Sequence, residues 1–312
     1  MTTYSHIPVM LKETIDALSV KPNGTYLDCT FGRGGHSSEI LKLLSNKGRL
    51  IAFDRDIDAI NEGKKIADKR FEIEHCAFSE IDKILKKKNI KKLDGILMDL
   101  GISSPQVDEA KRGFSFRFDA ILDMRMDQTK GITAADIINT YEEKDLMHVL
   151  KTYGEEKFAR KIVRAIIEHR ETKGPITMTL ELAELIKNTV PKRNLKKDPA
   201  TKTFQALRIL VNKEIEELEN TLPIVFNYLK PKARLVVISF HSLEDRIVKN
   251  YTKHKIKTDY IPKNIPIKAS EIKLAPFKVA QKMTTPSPEE ITKNPRSRSA
   301  KLRVIEKVME VV

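Results

Sequence analysis

Apolar and polar residues along the first hundred positions alternate between two rhythms. Thr25-Tyr-Leu-Asp28, Arg49-Leu-Ile-Ala-Phe53, Phe71-Glu-Ile-Glu-His75 and Leu93-Asp-Gly-Ile-Leu-Met-Asp-Leu100 are short runs rich in apolar residues and predict strands. Between them the apolar positions recur at helical spacing. His6 to Leu18 reads as a lead-in helix, and Pro22-Asn23-Gly24 forces a turn after it. A second helix opens near His36, runs through Glu39-Ile-Leu-Lys-Leu-Leu44 and closes at Asn46-Lys-Gly48; Asp58 to Lys69 and Ser79 to Lys88 follow. Strands alternating with helices predict an α/β fold with a parallel sheet, which binds ligands at the carboxyl ends of its strands. Those ends hold Asp28, Asp54, Phe78 and Asp99.

The rhythm then breaks. The next convincing strand, Leu235-Val-Val-Ile-Ser-Phe240, comes only after a gap far longer than the single helix of a parallel crossover. An inserted helical domain over 109–215 is expected to fill it, leaving a core made of 1–108 and 216–312. Thr133-Ala-Ala-Asp136 makes a capping-box start, and Phe158, Ile162, Ala165, Ile166 and His169 form one apolar stripe. Lys157, Arg160, Lys161 and Arg164 run down the same helix. A solvated face is the ordinary role of such a stripe; together with Lys192, Arg193, Lys196 and Lys197 in a nearby loop it is also a candidate RNA-facing surface. His241-Ser-Leu-Glu-Asp-Arg246 begins another helix. Thr252 to Pro288, rich in Lys and Pro, reads as a long surface segment, and Ala300 to Lys307 alternates like a final strand behind the basic Arg296-Ser-Arg298.

Composition narrows the classes. The 312 residues are 40% hydrophobic and 32% charged, enough for one large or two small domains with proper cores. Fifty-seven Lys and Arg against 43 Asp and Glu leave a net charge of +14, which favours phosphate-rich partners and would also suit an anionic membrane surface. Met1 to Val20 lacks the apolar core of a signal peptide, and no stretch reaches the roughly 18 uninterrupted apolar residues of a spanning helix. Cys29 and Cys76 stand far apart with no C-x-x-C pair, so no disulfide framework or cysteine zinc site is indicated, and a reducing cytoplasm is the simplest home.

Thr25 to Ser37 is the stretch that carries chemistry. A strand meets an acid and then Gly32, Gly34 and Gly35, which permit positive φ and leave room for a ligand against the main chain, before a helix start whose free N–H groups attract a negative group. A structural turn is the alternative reading of the cluster. Against the dinucleotide template G-x-G-x-x-G the third glycine is replaced by Ser37, which counts against NAD. Asp54 lies about 20 residues beyond Gly34, where α/β nucleotide folds place an acid against the ribose hydroxyls, although an acid at a strand end is also a common helix cap. His241 could act on a substrate or cap its helix. No hydrolytic carboxylate pair, nucleophile elbow, P-loop or H-E-x-x-H spacing is present, so no metal is indicated. A glycine loop with an acid beyond the second strand is the plan of S-adenosylmethionine (SAM) methyltransferases. A sulfonium methyl group is already activated, so the protein mainly holds a nucleophile in line in a dry pocket.

At the level of whole motifs the chain resembles the ribosomal small subunit methyltransferase H family, the bacterial 16S rRNA (cytosine-N4)-methyltransferases. The resemblance rests on Thr30-Phe-Gly-Arg-Gly-Gly-His-Ser37, Asp94-Gly-Ile-Leu-Met-Asp-Leu-Gly-Ile-Ser-Ser-Pro-Gln106, Arg112-Gly-Phe-Ser-Phe116, Leu122-Asp-Met-Arg-Met-Asp127, Lys151-Thr-Tyr-Gly-Glu155, Pro199 to Arg208, Ser239 to Arg246 and Asn294 to Ser299. It implies a Rossmann-like class I SAM-dependent methyltransferase sheet with an inserted all-helical domain for substrate recognition. The implied activity methylates the exocyclic N4 amine of a cytidine in the decoding region of 16S rRNA, within the small ribosomal subunit of the cytoplasm. By this resemblance Gly34, Gly35 and His36 contact SAM, Asp54 binds its ribose, Phe78 borders the adenine, and Asp99 and Gln106 complete the pocket. Phe78 could equally be a core aromatic. Two departures stand out: Phe118-Asp-Ala-Ile-Leu122 lacks the family's usual proline, and Ser103-Ser-Pro-Gln106 holds one proline and no aromatic where DNA amino-methyltransferases carry D/N/S-P-P-Y/F. Ser103 and Ser104 are candidates to accept hydrogen bonds from the target amine, though serines in a tight loop often cap the backbone. The group that takes the N4 proton is not identified. Competing readings are a methyltransferase acting on DNA or protein, a NAD-dependent oxidoreductase, and a non-catalytic RNA-binding assembly factor.

Overall fold

The computed structural model describes residues 8–191, 198–256 and 275–308. The chain falls into two compact units, Met1–Gly101 with Glu216–Val312, and Ile102–Ile215.

The first unit begins with α1 (Leu11–Leu18), β1 (Thr25–Asp28), α2 (Gly35–Leu43), β2 (Arg49–Asp54), α3 (Ile57–Gly63), β3 (Phe71–His75), α4 (Ile81–Lys87) and β4 (Leu93–Asp99). The second unit supplies α5 (Ser104–Asp108), α6 (Ala134–Thr140), α7 (Glu143–Thr152), α8 (Ala159–Thr172), α9 (Thr179–Thr189) and α10 (Thr201–Val211). The first unit resumes at Glu216, within α11 (Glu214–Tyr228), and continues with β5 (Leu229–Ser239), α12 (Ser242–Lys255), β6 (Phe277–Thr284), α13 (Pro288–Lys293) and β7 (Lys301–Lys307).

The sheet runs β3-β2-β1-β4-β5-β7-β6. Its first five strands are parallel, while β7 pairs antiparallel with both β5 and β6. Chain order reverses between β1 and β4, the switch point at which open α/β sheets leave a crevice. This is a Rossmann-like α/β sheet. Because side chains alternate across a strand, Leu27, Ile51, Phe53, Ile96, Met98, Leu235 and Val237 face one core, with Ile81, Leu85, Leu222 and Val248 from α4, α11 and α12. Tyr26, Leu50, Ala52, Leu97, Val236 and Ile238 face the other, with Leu18, Ile40 and Ala59 from α1, α2 and α3. Burial on both faces explains why β1, β2 and β4 read as nearly unbroken apolar runs.

The second unit closes on its own core, in which Leu122, Ile137, Leu146, Leu150, Ile162, Ile166, Leu182, Ile186 and Leu207 are buried. Thr133 caps α6 by accepting from the Asp136 N–H, as its capping-box spacing predicts. No helix among the described residues is long and apolar enough to cross a membrane.

Several expectations need correction. The lead-in helix starts at Leu11, and Met1 to Ile7 lie outside the described residues. α3 stops at Gly63, six residues short of Lys69, in a tight pack where a Cβ on Gly63 would sit 2.3 Å from Ile73 Cδ1. α2 ends at Leu43, before Asn46-Lys-Gly48, and Gly48 serves close approach, since a Cβ there would lie 2.6 Å from the Pro22 carbonyl. Thr252 to Pro288 is not one surface segment. α12 reaches Lys255 and β6 occupies Phe277–Thr284, while 257–274 lie outside the described residues, as do Lys192, Arg193, Lys196 and Lys197.

Candidate cofactor site

The candidate site of the first unit gathers at the carboxyl ends of β1, β2 and β4. Three aspartates end these strands, and the chain spends them differently. Asp28, buried, uses both oxygens locally: Oδ1 accepts from the Thr30 N–H at 3.0 Å, and Oδ2 accepts from the Ser37 hydroxyl at 2.7 Å. The serine that breaks the dinucleotide template is thus a buried tie between α2 and β1. Asp54 holds the turn: Oδ2 accepts from the Gly32 N–H at 2.8 Å and Oδ1 from the Asp56 N–H at 2.9 Å. Asp99 differs from both. Its backbone N–H donates to the Thr30 hydroxyl at 2.7 Å, but its Oδ1 is sealed from solvent and has no hydrogen-bond partner among the described residues.

The glycine turn has the expected geometry. Gly32 (φ 57°) and Gly34 (φ 75°) occupy the left-handed region, and Gly34 caps α2. Gly35 serves close packing: a Cβ there would lie 2.1 Å from Pro8 Cγ. At Gly34 a Cβ would lie 2.6 Å from Phe31 Cζ, and the Phe31 ring is itself buried against Phe71 at 5.6 Å. Gly34→Ala combines left-handed strain with an overpacked ring, so urea unfolding should show a loss of about 2–4 kcal/mol. His36 is buried at the start of α2, its Nε2–H donating to the Val9 carbonyl at 3.1 Å and its Nδ1 standing 3.7 Å from Asp99 Oδ2.

The electrostatics are one-sided. None of Asp28, Asp54 and Asp99 has a Lys or Arg partner among the described residues. Burial raises Asp54 to about 6 against the pull of its two backbone N–H bonds. Burial, then the charges of Asp28 and Glu244, lift Asp99 well above the carboxylate range. Such a site suits a ligand that brings positive charge and repels one that brings a pyrophosphate.

The other expected residues fall as follows. Phe78 opens a short 3-10 turn after β3, half-buried against the core that includes Ile81 and Leu218. Glu217 holds this turn by accepting from the Ser79 N–H and hydroxyl at 2.8 and 3.0 Å. His241 follows β5 by two residues and caps α12, its Nδ1 accepting from the Glu244 N–H at 3.4 Å, while Glu244 Oε2 accepts from the Phe240 N–H at 2.8 Å. Ser103, Ser104 and Gln106 belong to the second unit and form the start of α5, where the buried Gln106 accepts from the Ser103 N–H at 3.0 Å. Sequence reasoning missed Thr30, Ser37 and Glu217, whose hydroxyls and carboxylate position the site through contacts made only in the folded chain.

A family model described as the MraW methylase family matches residues 3–308. The chain belongs to the MraW methylase family. The relatives of this methylase include a protein of Methylobacillus flagellatus named Ribosomal RNA small subunit methyltransferase H, 51% identical over 302 residues, covering 97% of this chain and 94% of that one. A protein of the same name from Buchnera aphidicola subsp. Cinara cedri is 52% identical over 305 residues, covering 97% and 99%.

Proposed function

We propose that this methylase transfers the methyl group of SAM to the N4 amine of a cytidine in the decoding region of 16S rRNA, in the small ribosomal subunit. The observation that carries the cofactor is the trio of strand-end carboxylates without cationic partners around a glycine turn. SAM carries an ammonium and a sulfonium, whereas NAD carries a pyrophosphate. Close homology to proteins named for small-subunit rRNA, and the net charge of +14, support the substrate.

In this reading the backbone N–H groups around Gly34, Gly35 and His36 face the methionine carboxylate, at the positive end of α2. Asp54 takes the ribose hydroxyls, Phe78 borders the adenine, and Asp99 offers its unpartnered Oδ1 to a donor on the cofactor. When bound, SAM supplies a methyl on a sulfonium that leaves as a neutral thioether. Cytosine N4 is a poor nucleophile because its lone pair is delocalised into the ring. Ser103 and Ser104 would accept hydrogen bonds from the amine and favour the geometry in which it meets that methyl group in line, and the N4 proton would leave to solvent or a neighbouring base. The target must be unstacked or single-stranded to be reached, and His241 is a further substrate contact. The unit over 102–215 serves substrate recognition.

The test is direct. Small subunits from cells lacking this protein, treated with enzyme and labelled SAM, should acquire one labelled N4-methylcytidine in the decoding region. Label in DNA or protein instead, or none at all, sinks the reading.

A further inference from the structure

Lys157, Arg160, Lys161 and Arg164 follow one another at the spacing that aligns side chains on one face of a helix, here α8 and the residues leading into it. All four are exposed, whereas Ala159, Ile162, Val163 and Ile166 of the same helix are buried. None of the four makes an ion pair or a side-chain hydrogen bond with any described residue, and Glu168, one turn beyond Arg164, does not pair with it. The arrangement works against the helix that carries it. Like charges at three- and four-residue spacing repel, and the first turn of α8 holds cations and no acid at the helix end where cations are disfavoured. A solvated face gains nothing from this; a polyanion laid along it relieves both.

We infer that this face of α8 carries the phosphate backbone of the RNA substrate, holding the strand without reading its bases. The inference rests on the rRNA reading proposed above and deepens it. Arg160 to Arg164 cover about 6 Å of helix, and Lys157 just ahead of its start extends the run, room for roughly three consecutive phosphates of one strand. A membrane surface is the other polyanion such a stripe could meet. It is disfavoured because the apolar side of α8 is buried in the core of its own unit and has nothing to insert.

The test compares the wild type with a variant carrying Lys157→Gln, Arg160→Gln, Lys161→Gln and Arg164→Gln. Both are titrated with small-subunit rRNA across a salt series, with an RNA of unrelated sequence, and with vesicles containing anionic phospholipid. The variant should bind both RNAs at least roughly tenfold more weakly near 0.1 M salt. The slope of log affinity against log salt should flatten by about 2 to 3, because each phosphate contact contributes roughly 0.7–0.9. KM for RNA should rise while single-turnover transfer at saturating RNA stays as in the wild type, and the melting temperature should hold or increase. A companion carrying Arg160→Lys and Arg164→Lys should keep the wild-type slope. An unchanged slope in the Gln variant overturns the inference whether or not the wild type methylates rRNA. Loss of vesicle binding with RNA binding intact overturns it in favour of a membrane face. A flattened slope in an enzyme that does not methylate rRNA supports the RNA-holding face and removes only the activity reading.

Discussion

Asp54→Ala is expected to weaken SAM binding by roughly a hundredfold or more while the chain stays folded. Asp54 does two things at once. Its oxygens fix the Gly32 and Asp56 N–H groups at 2.8 and 2.9 Å, and it is the proposed acceptor for the ribose hydroxyls. Hydrogen bonds to a charged group contribute about 1.5–3 kcal/mol each, so losing the ribose contact while releasing the turn accounts for a loss of that order. The fold is buffered because the ionised carboxylate carries its own burial cost, the reason its pKa rises to about 6. That shift sets a pH signature. The carboxylate is the better ribose acceptor, so wild-type affinity should hold above pH 6 and decline as pH falls below it, whereas the alanine variant should lack this inflection. Calorimetry across pH 5–8 checks both, and an unchanged Kd in Asp54→Ala would mean that the ribose lies elsewhere.

The sequence and the folded chain differ in instructive places. β1, β2, β3, β4 and β7 are legible because their periodicity is strong, the three central ones being buried on both faces. β6 is not. It is an edge strand that buries Phe277 alone and exposes Lys278, Val279, Lys282 and Met283, so its polar pattern is indistinguishable from a loop until β7 offers its ladder. β5 starts at Leu229, ahead of its apolar stretch, because Leu229 pairs with Leu93 of β4, and the residues from Lys230 to Ala233 then break the register before Arg234 meets Gly95. The same division holds at the candidate site. Acids at strand ends and glycines with positive φ follow from local pattern. Which acid is consumed by the scaffold does not, because that depends on Ser37 reaching back to Asp28 and on Glu244 approaching Asp99 from the far side of the chain.

That last contrast makes Asp99→Asn the most discriminating substitution, since it should move stability and binding in opposite directions. Asp99 is isosteric with Asn, and its backbone N–H keeps its bond to Thr30 in either case. What changes is the charge. Burial and the neighbouring Asp28 and Glu244 raise the Asp99 pKa, so the folded chain holds this proton more tightly than the unfolded chain does. Its contribution to stability is therefore complete at low pH and is lost as pH rises through the folded value, so keeping an acid at this buried position is a net cost above the unfolded carboxylate range. A neutral Asn removes that cost. The variant without cofactor should gain about 1 kcal/mol at pH 7 by urea unfolding, and should lose the part of the wild-type decline with rising pH that Asp99 causes. SAM binding should weaken at least tenfold, because the amide offers a positively charged donor a neutral acceptor and places an NH2 where a carboxylate oxygen stood. A purely structural Asp99 would give the stability gain with Kd unchanged. A variant that loses both stability and binding would mean that the buried Oδ1 has a partner in the folded protein, and that the acidic trio is not held open for a cation.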